Sequence, residues 1–285
     1  MEYLSEINEW RAYANDQRAR GRRVGLVPTM GALHGGHASL FRAARAHGDV
    51  VLATIFVNPR QFNDSADLAQ YPRTPGYDRE MAQRNGVDCL IEPTLATMWP
   101  DYPAPTPTTV SVHGLGDVLE GAGRPGHFDG VASVVAKLIS VTGPCRAYFG
   151  EKDFQQVAVV RQMVRDLAMD VEVVGCPIVR DEDGLALSSR NVLLSRAGRR
   201  RALALSRALT LVQSQPATAS AQRERLRETL DAAGVVTAYA EVVDPVTLEP
   251  STDDETGPRR AMVAGLIEDV RLIDNGPVTL APRRS

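Results

Sequence analysis

The stretch RVGLVPTMGALHGGHASLFRAARAHGDVVLATIFV, residues 23–57, determines the fold class of this chain. It opens with a short apolar run over 23–28 and passes through a glycine-rich turn. Helical spacing of apolar residues then covers 37–48 and ends at Gly48. The following run over 49–57 is continuous and rich in β-branched residues, which is typical of a strand buried on both faces. Strand, helix and strand in this order predict a parallel βαβ unit.

The same alternation continues to about residue 180. Apolar periodicity predicts further helices over 77–85, 131–141 and 154–169, and strand-like runs over 87–93, 108–112, 145–150 and 171–179. Alternating strands and helices build a parallel sheet that is covered by helices on both faces. We therefore expect an α/β fold with a Rossmann-like, doubly wound parallel sheet.

A smaller α+β domain is expected after this sheet. Helical patterns cover 195–213 and 221–233, and strand-like runs follow over 235–243, 261–270 and 271–276. Helices followed by consecutive strands are typical of an antiparallel sheet with helices packed on it. The sequence thus predicts two domains, over residues 1–178 and 179–285.

The composition is that of a globular protein without an evident macromolecular partner. Of 285 residues, 44% are hydrophobic and 24% are charged. A net charge of −3 and a pI of about 6.0 give no overall basic field for nucleic acid, and the arginine-rich run over 18–23 is explained as a solvated helix end. Apolar stretches such as 50–57 are much shorter than the roughly 20 residues that span a bilayer. We expect neither nucleic-acid nor membrane binding.

The cysteines and the amino terminus indicate a cytoplasmic protein. Cys89, Cys145 and Cys176 are far apart, odd in number and without CxxC spacing, which disfavours disulfides and a zinc site. The first residues, MEYLSEINEWRAY, carry acids where a signal peptide has bases and an apolar core. The thiols are therefore expected to be buried in a reducing compartment.

The strongest candidate site is PTMGALHGGH, residues 28–37, at the end of the first predicted strand. Its glycines let the backbone approach an anion closely, and the first turn of the next helix offers unpaired N–H groups and a positive dipole end. His34 and His37, two of the five histidines, lie three residues apart, so both can donate to the same phosphates. A zinc site would need a further ligand, and none has the spacing. The segment predicts a phosphate site.

Polar residues also follow later strands, at the carboxyl ends where doubly wound sheets bind ligands. They are Asn58, Gln61, Lys152, Asp153, Gln156, Ser188, Ser189 and Arg190. Amides can orient a carboxylate or hydroxyl, lysine suits a migrating phosphoryl charge, and arginine beside two hydroxyls can clamp an anion. A turn, a surface ion pair or a helix cap would explain each segment alone, but their common location favours one shared site.

Two familiar phosphate motifs do not account for the sequence. It has no Walker A stretch. GAGRPG over 121–126 matches G-x-G-x-x-G, yet it follows no predicted strand and has Pro125 where the helix would begin. It also lacks the acidic residue that binds ribose about twenty positions further on. We therefore do not assign dinucleotide binding to it.

The ordered set of motifs resembles the pantothenate synthetase family, within the nucleotidylyl-transferase superfamily that carries an H-x-G-H element. The motifs are PTMGALHGGH (28–37), FVNPRQF (56–62), YPRTP (71–75), LEGAGRPGHFDGV (119–131), FGEKDFQQ (149–156) and DGLALSSRN (183–191). The resemblance covers about 22–191 and weakens afterwards to chain length and the RLIDN at 271–275. A chance match of the whole ordered set is very improbable.

The resemblance implies a ligase that joins pantoate to β-alanine with ATP and Mg²⁺. Pantoate would attack the α-phosphorus, release pyrophosphate and become pantoyl-adenylate, from which the β-alanine amine would displace AMP. Adenylation makes a carboxylate oxygen a good leaving group, so the protein mainly positions reactants and stabilises charge. The resemblance also implies a homodimer in which domain 1–178 binds nucleotide and pantoate and domain 179–285 acts as a lid.

The resemblance further assigns roles to individual residues. His37 would be the proton donor, and His34 and Lys152 would act with it on the phosphates. The residues implied in ATP binding are Met30, Gly31, Ala32, Leu33, His34, Gly35, Gly36, His37, Gly150, Glu151, Lys152, Asp153, Val179, Leu187, Ser188, Ser189 and Arg190.

The implied substrate and metal contacts come from other segments. Gln61 and Gln156 would hold pantoate, with Asn58 beside them and Gln61 also near β-alanine. Asp78 would be the Mg²⁺ contact, although the position before it, commonly acidic in relatives, is Tyr77 here. One carboxylate can suffice, because Mg²⁺ usually keeps waters and binds substrate phosphate.

Two other functions fit the residues less well. A nucleotidyltransferase that joins two phosphates would share H-x-G-H but would not need Gln61 and Gln156 at an acid pocket. A non-catalytic nucleotide-binding regulator would be expected to lack charge-stabilising residues, whereas His34, His37 and Lys152 are all present. Both alternatives are disfavoured.

Overall fold

The computed structural model describes residues 1–282, and the chain divides into two compact units. The first unit comprises Met1–Glu151 and Gln155–Pro177. The second comprises Lys152–Phe154 together with the chain from Ile178 onward. A short segment around Lys152 is thus grouped with the carboxy-terminal part of the chain.

The first unit is built on a six-stranded sheet in the order β1-β4-β3-β2-β5-β6, with every neighbouring pair parallel. Its strands are β1 (Glu2–Leu4), β2 (Val24–Thr29), β3 (Val50–Ile55), β4 (Cys89–Ile91), β5 (Cys145–Gly150) and β6 (Val171–Cys176). The helices are α1 (Ile7–Ala19), α2 (Gly35–Ala46), α3 (Ser65–Gln70), α4 (Pro75–Arg84), α5 (Leu95–Met98), α6 (Glu120–Gly123), α7 (His127–Thr142) and α8 (Phe154–Asp166). The predicted doubly wound parallel sheet is confirmed.

The continuous apolar runs supply both faces of this sheet. Because side chains alternate along a strand, Leu26 and Leu52 lie in a core with α1, α7 and α8. Val27 and Val51, one residue away, lie in a second core with α2 and α4 on the opposite face. All four side chains are fully buried, which explains why these strands lack polar alternation.

Strand β2 lies at the switch point of the sheet. It pairs with β3 on one side and β5 on the other, and the later strands extend the sheet outward from it, through β3 and β4 on one side and β5 and β6 on the other. Ligands of doubly wound folds bind outside the carboxyl ends of the strands at such a point. The turn after β2 and the residues that end β5 therefore occupy the expected position.

The second unit packs two helices against a three-stranded antiparallel sheet in the order β7-β8-β9. Its elements are α9 (Arg196–Ser214), α10 (Ala219–Ala232), β7 (Val236–Val243), β8 (Gly257–Ile267) and β9 (Val270–Leu280). Glu268 and Asp269 connect β8 to β9, both with positive φ, as a tight two-residue hairpin turn requires. The predicted order of helices and strands is confirmed.

The structure differs from the sequence-based elements at β1 and at residues 108–112, and it adds the helices α1, α3, α5 and α6, which the sequence analysis did not predict. Strand β1 lacks a sequence signal, because its three largely exposed residues at the sheet edge carry no apolar pattern and are held by backbone pairing to β4. The run 108–112 is not a strand, because Val110 and Val112 pack against the core from a loop, with the Val110 N–H donating to Ser133 Oγ at 2.9 Å. Within residues 1–282, no helix has the length and apolarity needed to cross a membrane.

Candidate active site

The turn that follows β2 has an unusual backbone. Gly31 and Ala32 have φ values of +80° and +48°, a left-handed region that costs a residue with a side chain about 1–3 kcal/mol. A Cβ on Gly31 would lie 3.0 Å from Asp78 Oδ2 and from Ile55 Cγ2. Position 31 therefore requires glycine both for its φ and for the space around it.

Asp78, in the first turn of α4, holds this turn in place. Its carboxylate accepts the Ala32 N–H at 3.0 Å, the Leu33 N–H at 2.8 Å and the Thr74 hydroxyl at 2.9 Å. The side chain is buried, with 1% relative exposure. Hydrogen bonds from backbone N–H groups to a carboxylate are stronger than neutral ones, so Asp78 stabilises the strained conformation at Ala32.

These contacts bear on the predicted metal role of Asp78. Both carboxylate oxygens already accept hydrogen bonds inside the protein, and the group is almost fully buried. Within residues 1–282 there is also no cluster of three or more His, Cys, Asp or Glu side chains arranged to hold a metal ion. The contacts of Asp78 do not fit the role of a direct Mg²⁺ ligand, and its carboxylate anchors the turn.

His34 and His37 cap the amino terminus of α2 reciprocally. The Gly36 N–H donates to His34 Nδ1 at 3.1 Å, and the His34 N–H donates to His37 Nδ1 at 3.2 Å. A ring nitrogen that accepts a hydrogen bond carries no proton, so each neutral imidazole has its proton on Nε2. The ring centroids are 4.1 Å apart. The H-x-G-H spacing thus produces two adjacent imidazoles whose Nε2–H groups are donors, beside a helix amino terminus suited to phosphate.

Gln61 is held beside this turn by its own polar contacts. Its Nε2 lies 3.0 Å from Met30 Sδ, and its Oε1 accepts from Asn58 Nδ2 at 3.1 Å. The Gln61 carbonyl lies 2.8 Å from His127 Nδ1, and Arg124 lies 3.1 Å from the other ring nitrogen of His127. The glutamine is therefore oriented from both its side chain and its backbone, and His127 and Arg124 contribute to that orientation.

Asn58 differs from its predicted role as a direct substrate contact. It has 1% relative exposure, its amide donates to the Gly130 carbonyl as well as to Gln61, and its Oδ1 accepts from Trp99 Nε1 at 2.9 Å. A Cβ on Gly130 would lie 2.2 Å from the Arg60 carbonyl, so glycine allows α7 to approach the 59–61 turn. Asn58 therefore holds the Gln61 side chain in place through a hydrogen bond made in the protein interior. No local pattern places Trp99 in this cluster, because its partner lies 41 residues away.

The segment that follows β5 carries the other predicted phosphate residues. Gly150 ends β5, and Glu151, Lys152 and Asp153 form a short 3-10 turn before α8. Lys152 Nζ lies 3.4 Å from Asp153 Oδ1, and its side chain has 20% relative exposure. Gln156 is partly buried on α8. The preceding Gln155 is buried in hydrogen bonds to loop backbone and so has a structural role.

In the second unit, residues 179–187 form a small hairpin that leads into Ser188, Ser189 and Arg190. The Leu187 N–H donates to the Val179 carbonyl at 3.0 Å, and Arg180 bridges to Ala186. Ser188 caps the 3-10 helix Ser189–Leu193 by accepting the Arg190 N–H at 3.3 Å. The structure therefore gives Ser188 a capping contact, and its predicted phosphate role remains a prediction.

The tip of this hairpin is fixed by charge. Arg199 donates to Asp183 Oδ2 at 2.8 Å and to Asp181 Oδ2 at 2.6 Å. The Arg199 guanidinium holds the pKa of the Asp183 carboxyl below its usual range, because the hydrogen bond favours the charged form. The hairpin is thus tied to α9 at its turn.

The three cysteines are buried thiols, as expected, and none forms a disulfide. Burial raises the pKa of Cys89 and of Cys145 to about 12, and it also raises the pKa of Cys176. Burial and a raised pKa both disfavour the thiolate, so these buried side chains are structural rather than nucleophilic.

Known proteins resemble this chain over almost its whole length. The family model described as pantoate-beta-alanine ligase matches residues 2–277. A pantothenate synthetase of Paracoccus denitrificans is 49% identical over 279 residues, covering 96% of this chain and 97% of that protein. The crystal structure of pantoate-beta-alanine (pantothenate synthetase) from Thermus thermophilus matches with a TM-score of 0.89 and 46% identity, covering 97% and 99% of the two chains. Pantoate-beta-alanine ligase from Francisella tularensis, complexed with beta-gamma ATP and β-alanine, matches with a TM-score of 0.82 and 33% identity, covering 97% of each chain.

Proposed function

The chain belongs to the pantoate-beta-alanine ligase family, and from this premise we propose how its own residues carry out the reaction. As a member of that family it is an enzyme that condenses pantoate with β-alanine at the expense of ATP. The observation that carries the proposal is the pair His34 and His37 at the switch point of the sheet, with both Nδ1 atoms occupied by backbone donors.

The first step is proposed to be adenylation of pantoate. A pantoate carboxylate oxygen attacks the α-phosphorus of ATP, the bond to the bridging oxygen breaks, and pyrophosphate leaves with the electron pair. The Nε2–H groups of His34 and His37 are suited to donate hydrogen bonds to the phosphate oxygens that gain charge. In this step His37 acts as a hydrogen-bond donor to the leaving pyrophosphate, because a neutral imidazole that gave up its Nε2 proton would become an imidazolate. Lys152 supplies a positive charge to the same phosphates. Gly31, Gly35 and Gly36 allow the backbone to approach them.

The second step is proposed to be aminolysis of pantoyl-adenylate. The neutral amine of β-alanine attacks the acyl carbon, AMP leaves with the former carboxylate oxygen, and the nitrogen loses a proton as the amide forms. Gln61 and Gln156 would hold pantoate, and the contacts of Gln61 with Met30 and Asn58 support a fixed orientation for that amide. With its orientation fixed, the Gln61 amide can form hydrogen bonds only with an acid whose hydroxyl and carboxylate groups are correctly placed.

Mg²⁺ is proposed to enter as part of the ATP substrate. Triphosphate oxygens and water satisfy the octahedral preference of Mg²⁺ without a protein cage. The contacts of Asp78 argue against a direct bond between this carboxylate and the metal. No residue of the chain is therefore assigned to the ion.

Further proposals follow from the family. Domain 1–178 would bind nucleotide and pantoate, and domain 179–285, through Val179 and Leu187 to Arg190, would act as a lid on ATP. We also propose a homodimer, on the family resemblance, and a cytoplasmic location, which the three buried thiols support. Sedimentation at several protein concentrations would test the dimer.

The direct test is AMP release from ATP by purified protein with Mg²⁺, pantoate and β-alanine, omitting each acid in turn. The proposal expects AMP and pantothenate in equal amounts, and only when both acids are present. Pantoate-dependent exchange of pyrophosphate into ATP without β-alanine would support the adenylate. AMP formation at the same rate without pantoate would refute the proposed mechanism, and other acids would then be tested as substrates.

A further inference from the structure

Two adjacent polar residues are buried in the middle of β9, where an apolar strand face is expected. Asp274 and Asn275, at the end of the RLIDN segment, have 3% and 2% relative exposure. Buried polar side chains in a small antiparallel sheet are costly unless their hydrogen bonds are made. Their partners therefore show what this strand position does.

Asn275 is hydrogen-bonded to the segment that carries Lys152. Its Nδ2 donates to the Lys152 carbonyl at 2.9 Å, across 123 residues of sequence, and its Oδ1 accepts from Arg260 Nε at 2.8 Å. The Arg260 guanidinium lies 4.1 Å from the ring centroid of Phe154, two residues after Lys152. The segment Lys152–Phe154 is thus bound to the carboxy-terminal sheet by a hydrogen bond at one end and a cation–π contact at the other.

Asp274 holds a second predicted nucleotide segment in the same way. It forms two hydrogen bonds with Arg180, at 2.6 and 3.0 Å, and this arginine adjoins Val179. Asp274 Oδ1 also accepts the Asn275 N–H at 2.8 Å, so the two side chains belong to one network. Both of these predicted ATP-binding segments are therefore anchored on neighbouring residues of β9.

We propose that Asn275 is a positioning residue for Lys152, an inference that rests on the proposed role of Lys152 at the ATP phosphates. The lysine ammonium sits on a flexible four-carbon stem, so it can be placed accurately only if its backbone is fixed. Lys152 lies in a single 3-10 turn, whose hydrogen bonds are weaker than those of an α-helix. The Asn275 amide supplies a further constraint at the Lys152 carbonyl. These two contacts need a donor at position 275 aimed at that carbonyl and an acceptor aimed at Arg260.

The variant Asn275→Asp removes this contact and also adds a negative charge beside the buried Asp274, which the uncharged variant Asn275→Ser does not. Asn275→Asp keeps the size of the side chain and the acceptor for Arg260, but it removes the donor and places an oxygen against the Lys152 carbonyl. Asn275→Ser, which is too short to reach that carbonyl, replaces it if the first variant does not fold. Thr279→Ala is the matched control, because Thr279 is exposed on the same strand. Circular dichroism and thermal unfolding establish that each variant is folded at the assay temperature.

The readout is the equilibrium dissociation constant for ATP, measured in the wild-type and Lys152→Ala backgrounds. If Asn275 acts through Lys152, Asn275→Asp weakens ATP binding about tenfold in the wild type and less than about twofold when Lys152 is already absent. The control leaves ATP binding unchanged in both. An equal loss in both backgrounds, or no loss in the wild type, would overturn the inference. Pantothenate formation by the wild type tests the proposed function separately, so failure of one idea is distinguishable from failure of the other.

Discussion

Replacing Asp78 by Asn tests whether this buried carboxylate anchors the ATP turn or binds metal. The carboxylate accepts two backbone N–H groups, from Ala32 and Leu33, and the hydroxyl of Thr74. Asn keeps the shape but has a single acceptor oxygen, so at least one N–H faces an NH₂ group instead. The turn then loses part of what holds Ala32 at its positive φ.

The magnitude can be worked from these contacts. A hydrogen bond to a charged group contributes about 1.5–3 kcal/mol, and the remaining bonds lose their charge assistance, so the ordered turn should be destabilised by about 2–4 kcal/mol. At about 1.4 kcal/mol per factor of ten, kcat/KM for ATP should fall at least about 30-fold. Part of the loss should also lower the thermal unfolding midpoint by several degrees.

The assay is pantoate-dependent exchange of pyrophosphate into ATP, with ATP varied at several Mg²⁺ concentrations. The matched control is Glu80→Gln on the same helix, because the Glu80–Arg84 pair is exposed and such pairs contribute little. Loss of a turn anchor is not restored by metal, whereas loss of a metal ligand is relieved by excess Mg²⁺. A kcat/KM within about twofold of the control, or recovery at high Mg²⁺, would refute the anchoring role.

Three further predictions concern other side chains. Lys152→Ala should abolish adenylate formation while circular dichroism shows an intact fold, and near-normal turnover by the folded variant would remove Lys152 from the mechanism. His37→Ala should lose the first half-reaction but make pantothenate from preformed pantoyl-adenylate, and failure of that rescue would contradict its assignment to pyrophosphate departure. Burial raises the pKa of the Cys145 thiol from 9.0 to about 12. Above pH 9 the unfolded state therefore binds fewer protons than the folded state, and the free energy of unfolding must fall as the pH rises. In urea unfolding, the loss of stability between about pH 8 and 10 should be about 1 kcal/mol smaller in Cys145→Ala than in the wild type, because Cys89 and Cys176 still contribute to it in the variant. Parallel pH profiles of the two proteins would exclude the Cys145 thiol as a source.

Much of the site could be predicted from local sequence. Residues 23–57 encode a strand, a glycine turn and a helix, because apolar spacing and backbone conformation are local properties. The i, i+3 spacing of His34 and His37 is also local, and it leads directly to the pair of rings seen in the structure. Parallel strands then bring their carboxyl ends to one edge, so the general place of the site follows from the alternation of elements.

The roles of several polar residues depend on segments far away in the sequence. The resemblance makes Asp78 a metal contact, yet its carboxylate lies against Ala32, 46 residues earlier, and is sealed from solvent. The sequence favours Asn58 as a substrate contact, yet Trp99 and Gly130 turn its amide inward. Both residue types suit either role, and burial decides between them.

By itself, then, the sequence determined the parallel sheet, the order of the second unit and the paired histidines, because each depends on neighbouring residues and on periodicity. Tertiary structure alone decided which polar side chains are buried and hold other site residues in place. It also decided that β9 is hydrogen-bonded to the Lys152 backbone. The physical reason is that a hydrogen bond such as that from Asn275 depends on where two distant segments pack. No spacing rule along the chain encodes that distance.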